Sequence, residues 1–269
     1  GEHACHVPPT FQFSCFSIFK CSTHSIRFLV LKKSAANLHT FFELYAILVF
    51  LCIFASNYSP MVKVSVILPI YNVAPYLDET FKSLLDQSLR DIEIIAVNDG
   101  STDNSEEIIR KYQQLDSRII HISQENRGLS GARNTALPYA TGQYIYFMDS
   151  DDIISNSDAL RICYEYAEKN QADFIFFDGK RFQDGSYKKL SNLSRTHLAE
   201  ENTKYGGDYL LELMINNSRH NSAVWLLFIN HEYMNRIGLS FYPGIIHEDE
   251  LFTTILTLNS QSIYCFKQS

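Results

Sequence analysis

Gln143-Tyr-Ile-Tyr-Phe-Met-Asp-Ser-Asp-Asp152 decides how this chain is read. The apolar run from Tyr144 to Met148 has the length and residue types of a buried strand. It ends abruptly in Asp149, Ser150, Asp151 and Asp152. Crowded carboxylates are costly unless a cation or a hydrogen-bonding ligand accepts them. Side chains alternate along an extended chain, so Asp149 and Asp151 are expected to face the same way. Two carboxylates on one side can hold a hard divalent cation that shares its shell with substrate phosphates. The plainer reading is a cap cluster at a helix N-terminus, where acidic residues are also favoured.

Outward from this stretch, apolar strand patterns alternate with helical ones. Strands are expected at 62–69, 91–97, 118–122, 143–148 and 172–177, and helices at 75–87, 103–114, 132–139 and 158–169. Pro75 suits the first turn of its helix. Asp103 and Glu106 stand close to a capping-box spacing. Asn126 to Gly131 reads as a polar loop. Such alternation implies an α/β fold with a doubly wound, mostly parallel sheet and right-handed crossovers. Residues 183–204, rich in Ser, Asn, Thr and Lys, read as a linker or surface loop. Beyond them come a helix at 205–215, an apolar run at 223–229, an amphipathic helix at 248–258 and a strand at 262–266.

Three segments follow from composition: 1–60, 61–182 and 183–269. Cys5, Cys15, Cys21 and Cys52 lie in the first, with Leu44 to Ala55, an apolar run of 12 residues where a bilayer span needs about 20. Met61 precedes the first clean strand, so 1–60 reads as an extension outside the α/β fold. Cys163 and Cys265 read as free thiols of a reducing compartment, which fits a cytoplasmic location. A formal charge of −7 argues against nucleic acid as a partner.

In doubly wound sheets ligands bind at the carboxyl ends of strands. The first expected strand delivers Pro69, Tyr71 and Asn72 there, the second Asp99, the fourth Asp149 and Asp151. An aromatic ring and a carboxylate suit a nucleobase, by stacking and by accepting a ring N–H. Rim packing for Tyr71 and a simple Asp99-Gly100 turn are the plainer alternatives. Neither a G-x-G-x-x-G nor a P-loop pattern is present. Arg127 and Arg133 are candidates for a diphosphate contact. Asp249, in His247-Glu-Asp249, reads either as compensation of a helix dipole or as a general base.

These residues bear a resemblance to a known family. Val64-Ser-Val-Ile-Leu-Pro-Ile-Tyr-Asn72, Val97-Asn-Asp-Gly-Ser-Thr-Asp103, Asn126-Arg-Gly-Leu-Ser-Gly-Ala-Arg-Asn134 and Phe147-Met-Asp-Ser-Asp-Asp152 resemble the family 2 glycosyltransferases of GT-A fold. Val224-Trp225 and His247-Glu-Asp249 resemble its capsule and O-antigen branch. The resemblance implies an inverting hexosyltransferase. It would move a sugar from a UDP donor to a glycan or lipid-linked saccharide acceptor, with Mn2+ or Mg2+ as cofactor and peripheral contact with the membrane. It implies that Pro69, Tyr71 and Asp99 hold the uracil. Asp149 would contact ribose or metal, Asp151 would ligate the metal, and Asp249 would be the base. Asn98 departs from the family's frequent Asp. The family's sequence normally runs past Gln268, so the C-terminal part reads as shortened. A sugar-phosphate nucleotidyltransferase, or a nucleotide-sugar-binding module without catalysis, is the alternative.

Overall fold

The computed structural model describes residues 20–21, 24–25, 61–183, 186–189 and 194–267. The chain divides into two compact units, Gly1–Ser59 and Pro60–Ser269. In the first, Lys20–Cys21 and His24–Ser25 form a short antiparallel pair. The expectation for 1–60 as a whole, including Leu44 to Ala55, lies outside the described residues.

The second unit begins with β1 (Val64–Ile70), α1 (Ala74–Leu85), β2 (Ile92–Asp99), α2 (Ser105–Leu115) and β3 (Ile119–Gln124). Next are α3 (Gly128–Ala136), β4 (Tyr144–Phe147), α4 (Ala159–Asn170), β5 (Phe174–Phe176) and a hairpin of β6 (Lys180–Gln183) and β7 (Ser186–Lys189). β8 (Lys204–Tyr205), α5 (Gly207–Asn216), β9 (Leu227–Asn230), α6 (His231–Arg236), α7 (Glu248–Leu258) and β10 (Ile263–Cys265) complete it. β1 and β2 are buried throughout. This is the signature of strands covered on both faces, and it explains their unbroken apolar runs.

The main sheet has eight strands in the order β8-β10-β5-β9-β4-β1-β2-β3. β1 pairs parallel with β2 and β4, and β2 with β3. The order reverses beside β1, and a crevice is expected at the carboxyl ends there. The sheet is α/β and mostly parallel, as expected, with one difference in the middle. β9 lies between β4 and β5, antiparallel to both. The α4 crossover therefore skips a strand position, which the chain fills some fifty residues later.

Several boundaries move. α3 starts at Gly128, not 132, so most of the expected loop is helix. Asp103 does act at a helix start: its carboxylate accepts from the Ser105 amide and, across the loop, from the Ala74 amide of α1. Glu106 does not close a capping box. It turns toward the sheet and accepts from Asn98 Nδ2 (2.6 Å) and Ser123 Oγ, and pairs with His121 and Arg110. Within the expected surface loop Ser194, Arg195 and Ala199 are buried, while His197, Glu200, Asn202 and Lys204 are exposed as expected. Cys163 and Cys265 are free and buried, and burial pushes both thiols up to about 12.

Burial raises the Glu106 carboxyl, but Asn98, Ser123, His121 and Arg110 together hold it below its ordinary 4.5. The native state thus binds this proton more weakly than the unfolded chain. The stabilisation is complete above about pH 4.5 and is lost as pH falls through the lowered native value. Glu106→Gln is expected to cost ~1–2 kcal/mol at pH 7, with the gap in melting temperature closing below pH 4. An unchanged gap at pH 3 would contradict the assignment.

Candidate active site

The carboxyl ends of β1, β2 and β4 carry the expected side chains. Pro69 is buried at the end of β1, and the Tyr71 ring after it is 49% exposed. Asn72 sits in the left-handed region (φ 54°), which Asn tolerates better than most residues. Its carboxamide oxygen accepts from the Thr102 amide at 2.8 Å, and its own amide donates to Ser101 Oγ. Asn72 therefore ties the loop after β1 to the loop after β2.

Asp99 is buried, and its Oδ1 accepts from Gln124 Nε2 (2.6 Å) and the Arg127 amide (2.8 Å). Gly100 turns the chain at φ 75°, and a Cβ there would meet the Asn126 backbone nitrogen at 2.9 Å. The turn and the carboxylate are thus both built features, and the two readings of Asp99-Gly100 do not compete. Asn98 lies on the opposite face of β2, donating to Glu106. An aspartate at 98 would set two carboxylates against each other, which accounts for the amide.

After Phe147 the chain leaves the strand and turns, with the Asp152 amide bonded to the Asp149 carbonyl. Strand alternation therefore does not govern the side chains of Asp149 and Asp151, contrary to expectation. Asp149 is partly buried and Asp151 exposed. Thr80 Oγ1 donates to the carbonyls of Ser150 and Asp152 and anchors the turn to α1. Burial raises the Asp149 carboxyl, with Arg133 opposing and Asp249 and Asp151 adding to it. Burial, Asp149 and Asp151 push Asp152 up to about 6.

Arg133 stands at the centre. Its side chain is 1% exposed and touches three carboxylates: Asp249 Oδ1 at 2.6 Å, Asp149 Oδ1 at 3.1 Å and Glu248 Oε1 at 3.3 Å. The guanidinium lies over the Phe241 ring, 4.9 Å from its centroid. Phe241 stacks on Phe252 at 4.1 Å, and both meet Phe147 edge-on. Arg133 is therefore committed to carboxylates, where the sequence suggested a residue presented to a diphosphate. Asp249 Oδ2 accepts from the Val224 amide at 3.2 Å. α3 also grips the chain leading to α7: Asn134 exchanges hydrogen bonds with the backbone of Phe241, and Ser130 Oγ donates to the Tyr242 carbonyl.

The sequence reading missed Glu248 as a partner of Arg133, and Gln124 as a partner of Asp99. Acid-rich first turns are common at helix starts, so Glu248 carried no separate signal. Asp149 and Asp151 offer hard oxygen donors. Among the described residues no group of three or more His, Cys, Asp or Glu side chains forms a cage. That donor set fits a cation that completes its shell with substrate oxygens and water.

The model of glycosyl transferase family 2 matches residues 65–226. An uncharacterized glycosyltransferase of Haemophilus influenzae is 34% identical over 193 residues, which is 71% of this chain and 70% of that protein. The chain belongs to glycosyl transferase family 2. The uncharacterized glycosyltransferase EpsJ of Bacillus subtilis is 51% identical over 112 residues, 42% of this chain but 32% of that protein. This chain thus matches about a third of that relative's length. The structure of Staphylococcus aureus TarS 1-349 in complex with UDP-GlcNAc superposes with a TM-score of 0.66 at 24% identity, over 77% of this chain and 56% of that one. The shared fold is GT-A.

Arg133→Met would leave three carboxylates facing each other over an aromatic floor. A loss of ~3–5 kcal/mol in urea unfolding at pH 7 is expected. A loss under about 1 kcal/mol would show that the cluster does not hold this end of the sheet together.

Proposed function

We propose that this family 2 member is an inverting, metal-dependent glycosyltransferase. It moves a hexose or N-acetylhexosamine from a UDP-sugar to a hydroxyl of a glycan or lipid-linked acceptor in surface polysaccharide synthesis, at the cytoplasmic face of the membrane. The observation that carries this reading is the single guanidinium of Arg133 joining Asp149, at the end of β4, to Asp249, in the first turn of α7. It sets a donor-side carboxylate and a candidate base a fixed distance apart, as displacement with inversion requires.

In this reading the exposed Tyr71 ring stacks on the uracil, Pro69 borders it, and Asp99 accepts its ring N–H. Asn72 shapes the loop that presents Tyr71. Asp149 and Asp151 would hold Mn2+ or Mg2+, and a bound cation would neutralise charge developing on the departing diphosphate. Asp249 takes the proton of the acceptor hydroxyl as that oxygen attacks the anomeric carbon. Arg133 and the Val224 amide fix the direction in which Asp249 points. The complex of the structurally similar TarS with UDP-GlcNAc supports a uridine donor. No helix among the described residues is long and apolar enough to cross a membrane. A nucleotidyltransferase is not favoured, because Pro69 to Pro75 contains no Lys, Arg or Gly to wrap a phosphate.

The test is release of UDP from UDP-sugars with and without Mn2+, with acceptor saccharides supplied. Asp151→Ala is expected to abolish metal-dependent release, and full activity in that variant would refute the metal assignment. Asp249→Asn is expected to bind UDP normally by calorimetry while transfer falls about 100-fold or more. A parallel loss of UDP binding would move Asp249 to the donor site.

A further inference from the structure

Arg195 is an unusual group for this fold to bury. It is 4% exposed and lies in a segment whose composition reads as surface loop. Its Nη1 donates to the Asn221 carbonyl at 2.6 Å and its Nη2 to the Leu226 carbonyl at 3.4 Å, and the guanidinium lies over the Phe176 ring. No carboxylate among the described residues forms an ion pair with it. Burial accordingly lowers its pKa to about 10, with Asp178 opposing. A buried cation spent on two carbonyls is expensive unless those carbonyls must be held in place.

The two carbonyls bracket one short turn. Between them lies the tight helical turn Val224–Leu226, entered from Ala223. The Asn221 side chain accepts from the Ala223 amide on the same turn. The turn's first amide, that of Val224, is the donor to Asp249 Oδ2. Its second residue, Trp225, packs so closely on Gly179 that a Cβ there would overlap the indole. Arg195 is itself fastened from behind. Asp178 accepts from Ser194 Oγ and Thr196 Oγ1, each at 2.7 Å, and from the Arg195 amide at 3.0 Å. Burial would raise the Asp178 carboxyl, but these donors hold it below its usual range. A continuous chain of contacts therefore runs from Asp178 through Arg195 and the 221–226 turn to the second oxygen of Asp249.

We propose that Arg195 is a positioning residue for transfer: by clamping both ends of the 221–226 turn, it holds the Val224 amide where that amide fixes Asp249. This rests on Asp249 being the base. The chain of contacts itself touches none of Tyr71, Asp99, Asp149 and Asp151, and meets the donor side at one point, where Arg133 joins the other oxygen of Asp249 to Asp149. The clamp should therefore act on turnover and not on donor binding. It has two prongs by geometry: a planar guanidinium reaches both carbonyls, and an ammonium at the same place reaches one.

Steady-state kinetics and UDP calorimetry on Arg195→Lys, Val224→Pro and the double variant test it. Proline at Val224 removes the N–H, at the first position of a helical turn where proline is tolerated, after an Ala223 already extended; because it also replaces the buried Val224 side chain, Val224→Ala is the control for lost packing. Each single change is expected to lower kcat about 10- to 100-fold, with KM for the UDP-sugar and UDP affinity within about twofold. The double variant should be no slower than Val224→Pro, because both act through one hydrogen bond. Unchanged kcat in Arg195→Lys overturns the proposal. So does a joint fall of kcat and UDP affinity, or multiplicative losses in the double variant. If Arg195→Lys fails to fold, the comparison of Val224→Pro with Asp249→Asn decides: full activity in Val224→Pro beside an inactive Asp249→Asn overturns the clamp alone. Full transfer by Asp249→Asn removes the base reading and the clamp with it.

Discussion

A buried positive charge that must be paired is the constraint on which this site depends. Arg133 is closed off from solvent, and its pairing demand is met by residues from two distant parts of the chain. One guanidinium against Asp149, Glu248 and Asp249 leaves negative charge in excess. Burial raises the Asp149 carboxyl, and the neighbouring Asp249 and Asp151 raise it further. The surplus charge suits the site to a cationic guest. The low local dielectric makes that attraction larger than it would be at a surface.

The rest of the architecture serves to bring those groups together. Parallel strands carry Tyr71, Asp99 and Asp149 to the carboxyl end of the sheet. α3 supplies Arg133 and, through Asn134 and Ser130, pulls in the chain before α7. Phe147, Phe241 and Phe252 form the floor on which the charges rest. Behind α7, Gly207 lets α5 approach so closely that any side chain there would overlap the Thr257 carbonyl. The helix bearing Asp249 is therefore fixed on both sides.

Much of this was legible in residue order, for reasons that can be named. β1, β2 and α7 are readable because burial writes an unbroken or periodic apolar pattern. Asp99 and Asp149 were visible because polar groups at the end of an apolar run need an explanation, whereas Asp249 showed only as an acid in the first turn of a helix, where dipole compensation explains it equally well. Direction was not visible: the apolar run at 223–229 carries no mark of running antiparallel to its neighbours. The turn at Asp149 to Asp152 was hidden because serine and aspartate suit strand ends and turns alike. Arg195 was hidden for another reason. Its surroundings are polar, and a buried arginine served by backbone carbonyls forms no ion pair among the described residues to betray it. Arg133 was visible as a cation, but two of its three partners, Glu248 and Asp249, lie 115 and 116 residues away.

The position of β9 has a consequence for how the molecule forms. β4 and β5 are consecutive in the chain yet are joined only through a strand made of residues 227–230. Until that strand arrives, each has an open edge with unpaired backbone groups facing the gap, the condition under which strands of different molecules pair. The sheet cannot be completed piecemeal from its amino-terminal end, and its central closure is a long-range event of the kind that slows folding. The same insertion carries the Val224–Leu226 turn against the end of β4. The step that seals the sheet is thus also the one that brings the Val224 amide to Asp249, so a molecule with an unfinished sheet has no finished candidate site.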